Sequence, residues 1–343
     1  MHTMDKKNPI NRDKLPWDKL PQILALILFV LLYWVRLQQG GWDIEIDLLK
    51  NLRINLDKRI QGLIPSPHSQ LLSGILLGEK KSLPYELSLA LRDTSTLHIV
   101  VVSGQNLSLV GGFFLAISGL IKRKTAILVA FLSIIFYTLL TGAQVPVLRA
   151  AIMVSLTLLA QTFGRQRDGV WVLIITAGLM LLVNPKWLLD LSFQLSFMAT
   201  LGVVMVAPIL LRYLKHLPLI GQDLAVTTGA QVMVIPIIAQ NFHQLSLVGI
   251  VTNLFLAWTI PIIMILGGVM LILSFIWAGF AWIAGPLVSI LLTYFIYIVQ
   301  FFASLPFAWE YVGEKVWIVW VGYYLVVGGI LIGINKNNTP MSS

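Results

Sequence analysis

Polar residues interrupt the apolar runs of this sequence at three places, and the first is the stretch that begins at His98. An apolar run there ends in Ser103 and Gly104, followed by the amides of Gln105 and Asn106. A break of this kind at membrane depth either lines a water-filled cavity with half-helix ends or is a glycine kink that a neighbouring helix satisfies. The sequence leaves both interpretations open.

The second place is an arginine one turn into a predicted membrane span. Arg149 follows Gln144 and Pro146 within an otherwise apolar run. An ionisable side chain at the centre of a span costs about 2.5–3.5 kcal/mol on insertion scales, so such residues tend to face a partner or water. We expect Arg149 to face the interior of the bundle, and the alternative is that its long side chain snorkels to the interface.

The third place carries Asp190 and Gln194, four residues apart and therefore on one face of a helix. This polar stripe could pair with Arg149 or line a pathway. In the alternative, Asp190 belongs to the first helical turn, where its charge favours the positive helix end. Later polar residues could line a pore, but each one alone is better explained as a hydrogen bond between helices: Gln231, Gln240, His243 and Asn253.

The sequence carries no recognisable motif for hydrolysis, metal binding or ATP use. It has no cysteine, its five histidines form no H-x-x-x-H pair, and it lacks a phosphate-binding loop of the G-x-x-x-x-G-K-[ST] type. We therefore expect no catalytic residue, metal or cofactor in this chain. Energy for any transport would have to come from another protein.

Composition predicts the elements that hold these residues. The 343 residues are 57% hydrophobic and 11% charged, with a mean hydropathy of +0.85, which is typical of an all-α, polytopic integral membrane protein. About ten transmembrane helices are expected, together with re-entrant or interfacial helices before the second one. The predicted spans are 21–38, 97–121, 125–142, 145–163, 169–184, 187–211, 225–241, 246–274, 278–303 and 316–334. Span 225–241 is rich in polar residues and is the one that could re-enter instead of crossing.

Charge predicts the orientation. Basic residues in loops concentrate on the cytoplasmic side, and one topology with both termini inside satisfies every basic cluster. The clusters assigned to the cytoplasm are the tail before the first span, Lys122 to Lys124, Arg165 with Arg167, Arg212 with Lys215, and Lys336. Residues 40–96 and the connector with Glu310 and Glu314 are then expected outside.

Several of these stretches resemble the membrane-embedded competence domain of the ComEC family, the DNA-uptake proteins of naturally transformable bacteria. The similarity covers about residues 67–275 in the family's order. The family commonly has histidine where this chain has Asn106. The matching stretches are Leu76 to Glu79 with Leu83-Pro84, Leu97 to Gly104, Val147 to Met153, Gly164-Arg165 with Asp168, Asn184 to Asp190, Phe193 to Phe197, and Pro236, His243, Ser246-Leu247 and Asn253-Leu254.

The resemblance implies a channel-like protein of the bacterial cytoplasmic membrane that passes single-stranded DNA inward during natural transformation. It also implies partners beyond membrane lipid: a separate cytosolic ATP-dependent helicase or translocase, a DNA receptor or nuclease, and a second copy in a homodimer. A membrane-embedded enzyme or small-solute transporter of the same architecture is the alternative. The expected division of the chain is a basic tail at 1–20, an anchor at 21–38, an external amphipathic segment at 39–66, the competence domain at 67–335 and a polar tail at 336–343.

Overall fold

The computed structural model describes residues 20–40, 48–79, 83–100, 102, 104–116, 122–162, 168–218, 220–276, 278–313 and 317–337. Within these ranges the chain is nearly all-α. Helices α1 to α8 are Leu20–Gln39, Lys50–Leu63, His68–Leu77, Tyr85–Asp93, Leu97–Val100, Gly104–Ala116, Arg123–Leu140 and Val145–Thr162. Helices α9 to α16 are Gly169–Val183, Leu191–Met205, Ala207–Tyr213, Gly221–Phe242, Gly249–Ala257, Thr259–Ile276, Ala278–Ala303 and Trp317–Asn337. A 3₁₀ helix, Pro185–Leu189, precedes α10, and two short strands, β1 (Gln244–Ser246) and β2 (Trp309–Tyr311), pair antiparallel.

Five of the described helices are long and apolar enough to cross a membrane, as expected for a multi-pass membrane protein. They lie at Arg123–Leu140, Gly221–Phe242, Thr259–Ile276, Ile283–Ala303 and Trp317–Ile334. The count rises to six if α10 and α11 form one bent span. Shorter apolar helices at Ile27–Gln39, Val145–Ala160 and Gly169–Val183 coincide with predicted spans. A total of about ten crossings stays a prediction.

Three predicted spans are divided in the structure. The span at 97–121 consists of α5 and α6, and the span at 246–274 consists of β1, α13 and α14. The span at 187–211 consists of part of the 3₁₀ helix, α10 and α11, with a bend of 40° between the two α-helices. Pro208 lies in the first turn of α11 and has no N–H to donate back to α10, which explains the bend.

Helices α10 and α12 pack with their backbones almost in contact. A Cβ atom added to Gly202 of α10 would collide with the carbonyl oxygen of Gly229 of α12, and one added to Gly229 would lie 2.9 Å from the carbonyl oxygen of Gly202. Only glycine allows this approach. Small residues at such crossings are the usual means of close helix packing in membranes, where lipid tails compete for larger apolar side chains.

Helix α16 is held on α12 mainly by polar contacts. None of its span is buried in the described structure. Pro236 inside α12 cannot donate to the carbonyl of Val232, and the hydroxyl of Tyr323 donates to that oxygen at 2.9 Å. The neighbouring Tyr324 hydroxyl donates to the carbonyl of Met233 at 2.9 Å. The carbonyl that Pro236 leaves without its usual donor in α12 thus accepts a hydrogen bond that attaches α16.

The described part of the segment before α5, from residue 48 onward, packs against later helices, and its expected place outside the membrane stays a prediction. Helix α2 carries Arg59, whose Nε donates to the Ser274 hydroxyl at 2.8 Å and whose Nη2 donates to the Ser274 carbonyl at the end of α14. At the other end of the α13–α14 pair, Gly249 packs against Ser95. Between them, α3 lies against the middle of α14 and belongs to the largest buried cluster.

The described residues at 48–79 and 83–96 therefore contact the α13–α14 unit at both of its ends and along α14. If α14 crosses the ~30 Å hydrocarbon core, part of this segment lies at membrane depth with it. The side of the membrane on which residues 40–96 lie stays a prediction. The amphipathic pattern of α2 is explained by Leu56 and Ile60, which face the protein core.

The glycine crossing of α10 and α12 generates a first prediction. Gly202→Val should lower the free energy of unfolding by about 1–3 kcal/mol, because the added side chain forces two helix backbones apart. The measurement is reversible denaturation of the purified protein in mixed micelles. Gly322→Val on α16, where nothing lies within 4 Å of an added Cβ, is the matched control. Equal effects of the two changes would contradict the role of the crossing.

The Pro236 contact generates a second prediction. Tyr323→Phe should lower the free energy of unfolding by about 0.5–1.5 kcal/mol, because the Val232 carbonyl loses its donor. In a Pro236→Ala background the same change should cost much less, since residue 236 then has an N–H to donate to Val232. A double-mutant cycle measures this coupling. Additive effects would show that Tyr323 does not satisfy the carbonyl that Pro236 frees.

Candidate functional site

Arg149 lies where three helices meet. It is in the first turns of α8, its side chain is 8% exposed, and its Nη1 donates to the carbonyl of Ser196 on α10 at 3.0 Å. On the opposite side, its Nη2 lies 3.0 Å from the position that a Cβ on Gly104 would take, at the first residue of α6. The guanidinium thus faces the interior of the bundle and contacts both neighbouring helices.

Two polar atoms at this meeting point are buried and have no hydrogen-bond partner among the residues that the structure describes. They are Nε of Arg149 and the hydroxyl oxygen of Ser196. The Ser196 carbonyl is satisfied twice, by Arg149 and by the Thr200 hydroxyl at 2.9 Å. Buried polar atoms without partners are uncommon in folded proteins, so these two mark a place where a further group is expected to bind.

Asp190 does not neutralise Arg149. Its carboxylate accepts from the backbone N–H of Phe193 at 2.9 Å and so caps the N-terminus of α10. The two side chains form no ion pair, and the hypothesis that they do is wrong. Gln194 donates to the Leu188 carbonyl at 3.0 Å instead of pointing to Arg149. The predicted stripe of Asp190 and Gln194 is used locally, at the junction of the 3₁₀ helix and α10.

The stretch from His98 to Asn106 is divided among different surroundings. His98 is exposed, with Nδ1 2.9 Å from the Ser95 carbonyl. Ser103 lies outside the described residues. Gln105 is exposed, whereas Asn106 is 1% exposed and donates to the carbonyl of Ile75 at 3.1 Å. Asn106 therefore links α6 to the buried helix α3.

The later polar residues contact neighbouring elements around α12 and lie apart from these bonds of Arg149. Gln240 accepts from the Trp320 indole N–H at 2.8 Å, and Asn253 donates to the Thr227 hydroxyl at 2.5 Å. His243 caps α12 in a left-handed conformation, with φ of 55°, and its Nδ1 is buried without a partner. Gln231 is partly buried on α12. Among the predicted site residues that the structure describes, Gly104 and Arg149 are brought close together from different helices.

Sequence reasoning missed Ser196 as a member of the site. Its contact with Arg149 joins residues 47 positions apart, on two helices whose relative rotation the sequence does not give. The available signal was weak: Ser196 follows Gln194 by two residues in a stretch that was singled out for its polarity. Among the described residues, no three His, Asp or Glu side chains come together as a metal site.

Comparison with known proteins identifies the family. The family model for "Competence protein" matches residues 75–337. Similar curated proteins include ComE operon protein 3 of Bacillus subtilis strain 168, 26% identical over 206 residues, or 60% of this chain and 26% of that protein. An uncharacterized protein of Aquifex aeolicus strain VF5 is 32% identical over 169 residues, 48% of this chain and 40% of that one.

A third relative is the uncharacterized protein YcaI of Escherichia coli strain K12, 26% identical over 219 residues, or 56% of this chain and 27% of that protein. The aligned part of the chain thus covers about a quarter to two-fifths of these relatives. No solved structure matches the chain. The matched region includes α6, α8 and α10, the three helices that surround Arg149. Since the family model extends over more than half of the sequence, the chain belongs to the competence protein family.

Proposed function

We propose that this chain forms a channel-like passage for single-stranded DNA across the bacterial cytoplasmic membrane during natural transformation. Membership of the competence family supports a role in DNA uptake. The observation that carries the finer proposal is Arg149, a buried cation that donates to a backbone carbonyl and pairs with no carboxylate in the described part of the chain. A buried charge without a counter-ion is costly to keep, so it is expected to serve an anionic ligand.

Single-stranded DNA fits this site because its phosphates repeat regardless of base sequence. Uptake requires contacts that every sequence can make, and cationic and amide side chains along a path supply them. Arginine is well suited, since its planar fork donates two parallel hydrogen bonds to one phosphate. A guanidinium held in one place can therefore bind the phosphates of any DNA sequence that passes.

The energy for this transport has to be supplied by a partner. Moving each phosphate charge inward against a negative interior costs about 2.3 kcal/mol per 100 mV. The sequence carries no ATP-binding motif, so we propose a separate cytosolic ATP-dependent helicase or translocase that pulls the strand. A DNA receptor or nuclease would provide the strand, and a homodimer is the proposed assembly in the lipid bilayer.

We further propose that the N-terminus, the C-terminus and the start of α7 face the cytoplasm. The chain has no cysteine, so single cysteines can be labelled without background. An impermeant maleimide added to intact spheroplasts should label Glu310→Cys in β2 but label Arg123→Cys at the start of α7 only after the membrane is opened. The physical reason is the excess of basic residues around Arg123. Labelling of position 123 in intact spheroplasts would overturn this orientation.

The transport role is tested by changing Arg149. Arg149→Ala should reduce uptake of labelled DNA at least tenfold in a transformable host that depends on this gene, while surface binding of DNA and the amount of protein in the membrane stay normal. Arg149→Lys should recover part of the uptake, because a point charge remains but the bidentate fork is lost. The exposed Arg212→Ala is the matched control for removal of a cation.

The same experiment separates the alternatives. Normal uptake in Arg149→Ala would contradict a role in the DNA path. A loss of the protein from the membrane, restored by the double change Arg149→Ala with Asp190→Ala, would indicate a structural charge pair in place of a DNA contact. Because the two side chains form no ion pair, we expect the double variant to remain defective in uptake.

A further inference from the structure

We propose that Arg149, Ser196 and the N-terminal turn of α6 together form a binding site for one phosphate oxyanion. This proposal deepens the proposed function and rests on it for the natural ligand, a phosphate of the DNA backbone. The site itself is argued from geometry alone. Its three components come from α8, α10 and α6, and none of these helices forms it without the others.

The first argument is the set of unused donors. Nε of Arg149 and the hydroxyl of Ser196 are buried and without a partner, although each can donate a hydrogen bond. Both belong to the pair of residues that the bond from Nη1 of the same guanidinium to the Ser196 carbonyl oxygen, 3.0 Å long, holds together. An oxyanion could accept from both at once. An additional side-chain acceptor is missing here, since the carboxylate of Asp190 is occupied at the α10 cap.

The second argument is electrostatic. The first four N–H groups of an α-helix have no partner within the helix, and its N-terminus carries about half a positive charge. Helix α6 has 13 residues and begins at Gly104, beside the Arg149 guanidinium. A desolvated cation and a positive helix end repel each other. An anion in contact with both would turn this repulsion into two attractive interactions, as at phosphate-binding helix N-termini.

The third argument is the glycine at the start of α6. A Cβ at Gly104 would lie 3.0 Å from Nη2 of Arg149 and 3.4 Å from the Cβ of Ala150. A contact of 3.0 Å is tight, so even a methyl group at position 104 would shift the guanidinium by a few tenths of an ångström away from the helix end. Glycine therefore lets the cation and the backbone of α6 approach the same ligand.

The chemistry that fits is a tetrahedral oxyanion with several acceptor oxygens. A phosphate group offers oxygens to the guanidinium, to the Ser196 hydroxyl and to the helix end at the same time. Three sources share this chemistry: a phosphodiester of DNA, a lipid headgroup and inorganic phosphate. The experiment below begins with the simplest of them and then separates the others by competition.

The test uses the purified full chain in neutral detergent, titrated with inorganic phosphate at constant ionic strength in a thermal unfolding assay and by calorimetry. We expect saturable stabilisation that Arg149→Ala abolishes. Ser196→Ala should weaken phosphate binding about tenfold, the effect of one hydrogen bond to a charged group. Gly104→Ala should weaken it through displacement of the guanidinium. Arg212→Ala and Thr157→Val, whose hydroxyl donates within its own helix, are the matched controls that should bind normally.

The site would be overturned if the wild type showed no saturable phosphate binding. It would also be overturned if the single variants Ser196→Ala and Gly104→Ala each bound phosphate as tightly as the wild type. These two milder variants keep the test informative if Arg149→Ala does not fold. Competition with phosphate by a short oligothymidylate supports DNA as the ligand, and competition only by anionic phospholipid in nanodiscs overturns DNA in favour of a headgroup. Phosphate binding by the wild type that Arg149→Ala abolishes, together with normal DNA uptake by Arg149→Ala, would support the site and contradict the transport proposal. Loss of DNA uptake in Arg149→Ala without phosphate binding by the wild type would contradict the site and support the transport proposal.

Discussion

The charge of Arg149 is the feature on which the arrangement of α6, α8 and α10 depends. A guanidinium that is 8% exposed has lost most of its water, and a backbone carbonyl compensates only part of that loss. The three helices leave room for it because α6 begins with glycine and α10 presents the Ser196 carbonyl. A bundle that kept this cation only for stability would be expected to pair it with a carboxylate, and Asp190 on α10 is used as a helix cap instead. The proposed ligand rests on this difference.

The same requirement, that polar groups inside the membrane find partners within the protein, explains other parts of the fold. Pro236 frees a carbonyl of α12, and the hydroxyl of Tyr323 binds it. The end of α14 has unpaired carbonyls, and Arg59 of α2 donates to one of them, at Ser274. In a similar way Arg36 of α1 donates to the carbonyls of Leu182 and Val183 at the end of α9. Each of these contacts fixes the position of one helix relative to another.

The buried hydrophobic side chains of the described residues form two clusters. The larger is built from α2 to α7 and α13 to α15, the smaller from α9 and α10, and α8 contributes side chains to both. The Arg149 site lies between α6, from the first cluster, and α10, from the second. A ligand in this position would contact helices of both clusters.

The sequence alone determined the class of this protein, since long apolar runs with few charges have no stable alternative to membrane helices. It also indicated the family, singled out Arg149 and predicted the break before Gly104, because a charge or a Ser-Gly pair inside an apolar run is visible without coordinates. Tertiary structure decided the rest. Whether Arg149 meets Asp190 or Ser196 depends on how α8 and α10 are rotated about their axes, and hydropathy carries no information about that rotation.

The amides at Gln240 and Asn253 looked equivalent to those at Gln105 and Asn106 in the sequence, yet their partners across α12 and α16 gave them separate roles. The place of residues 48–96 was also beyond the sequence, because an amphipathic helix has the same pattern whether its apolar face meets lipid or the core of its own protein.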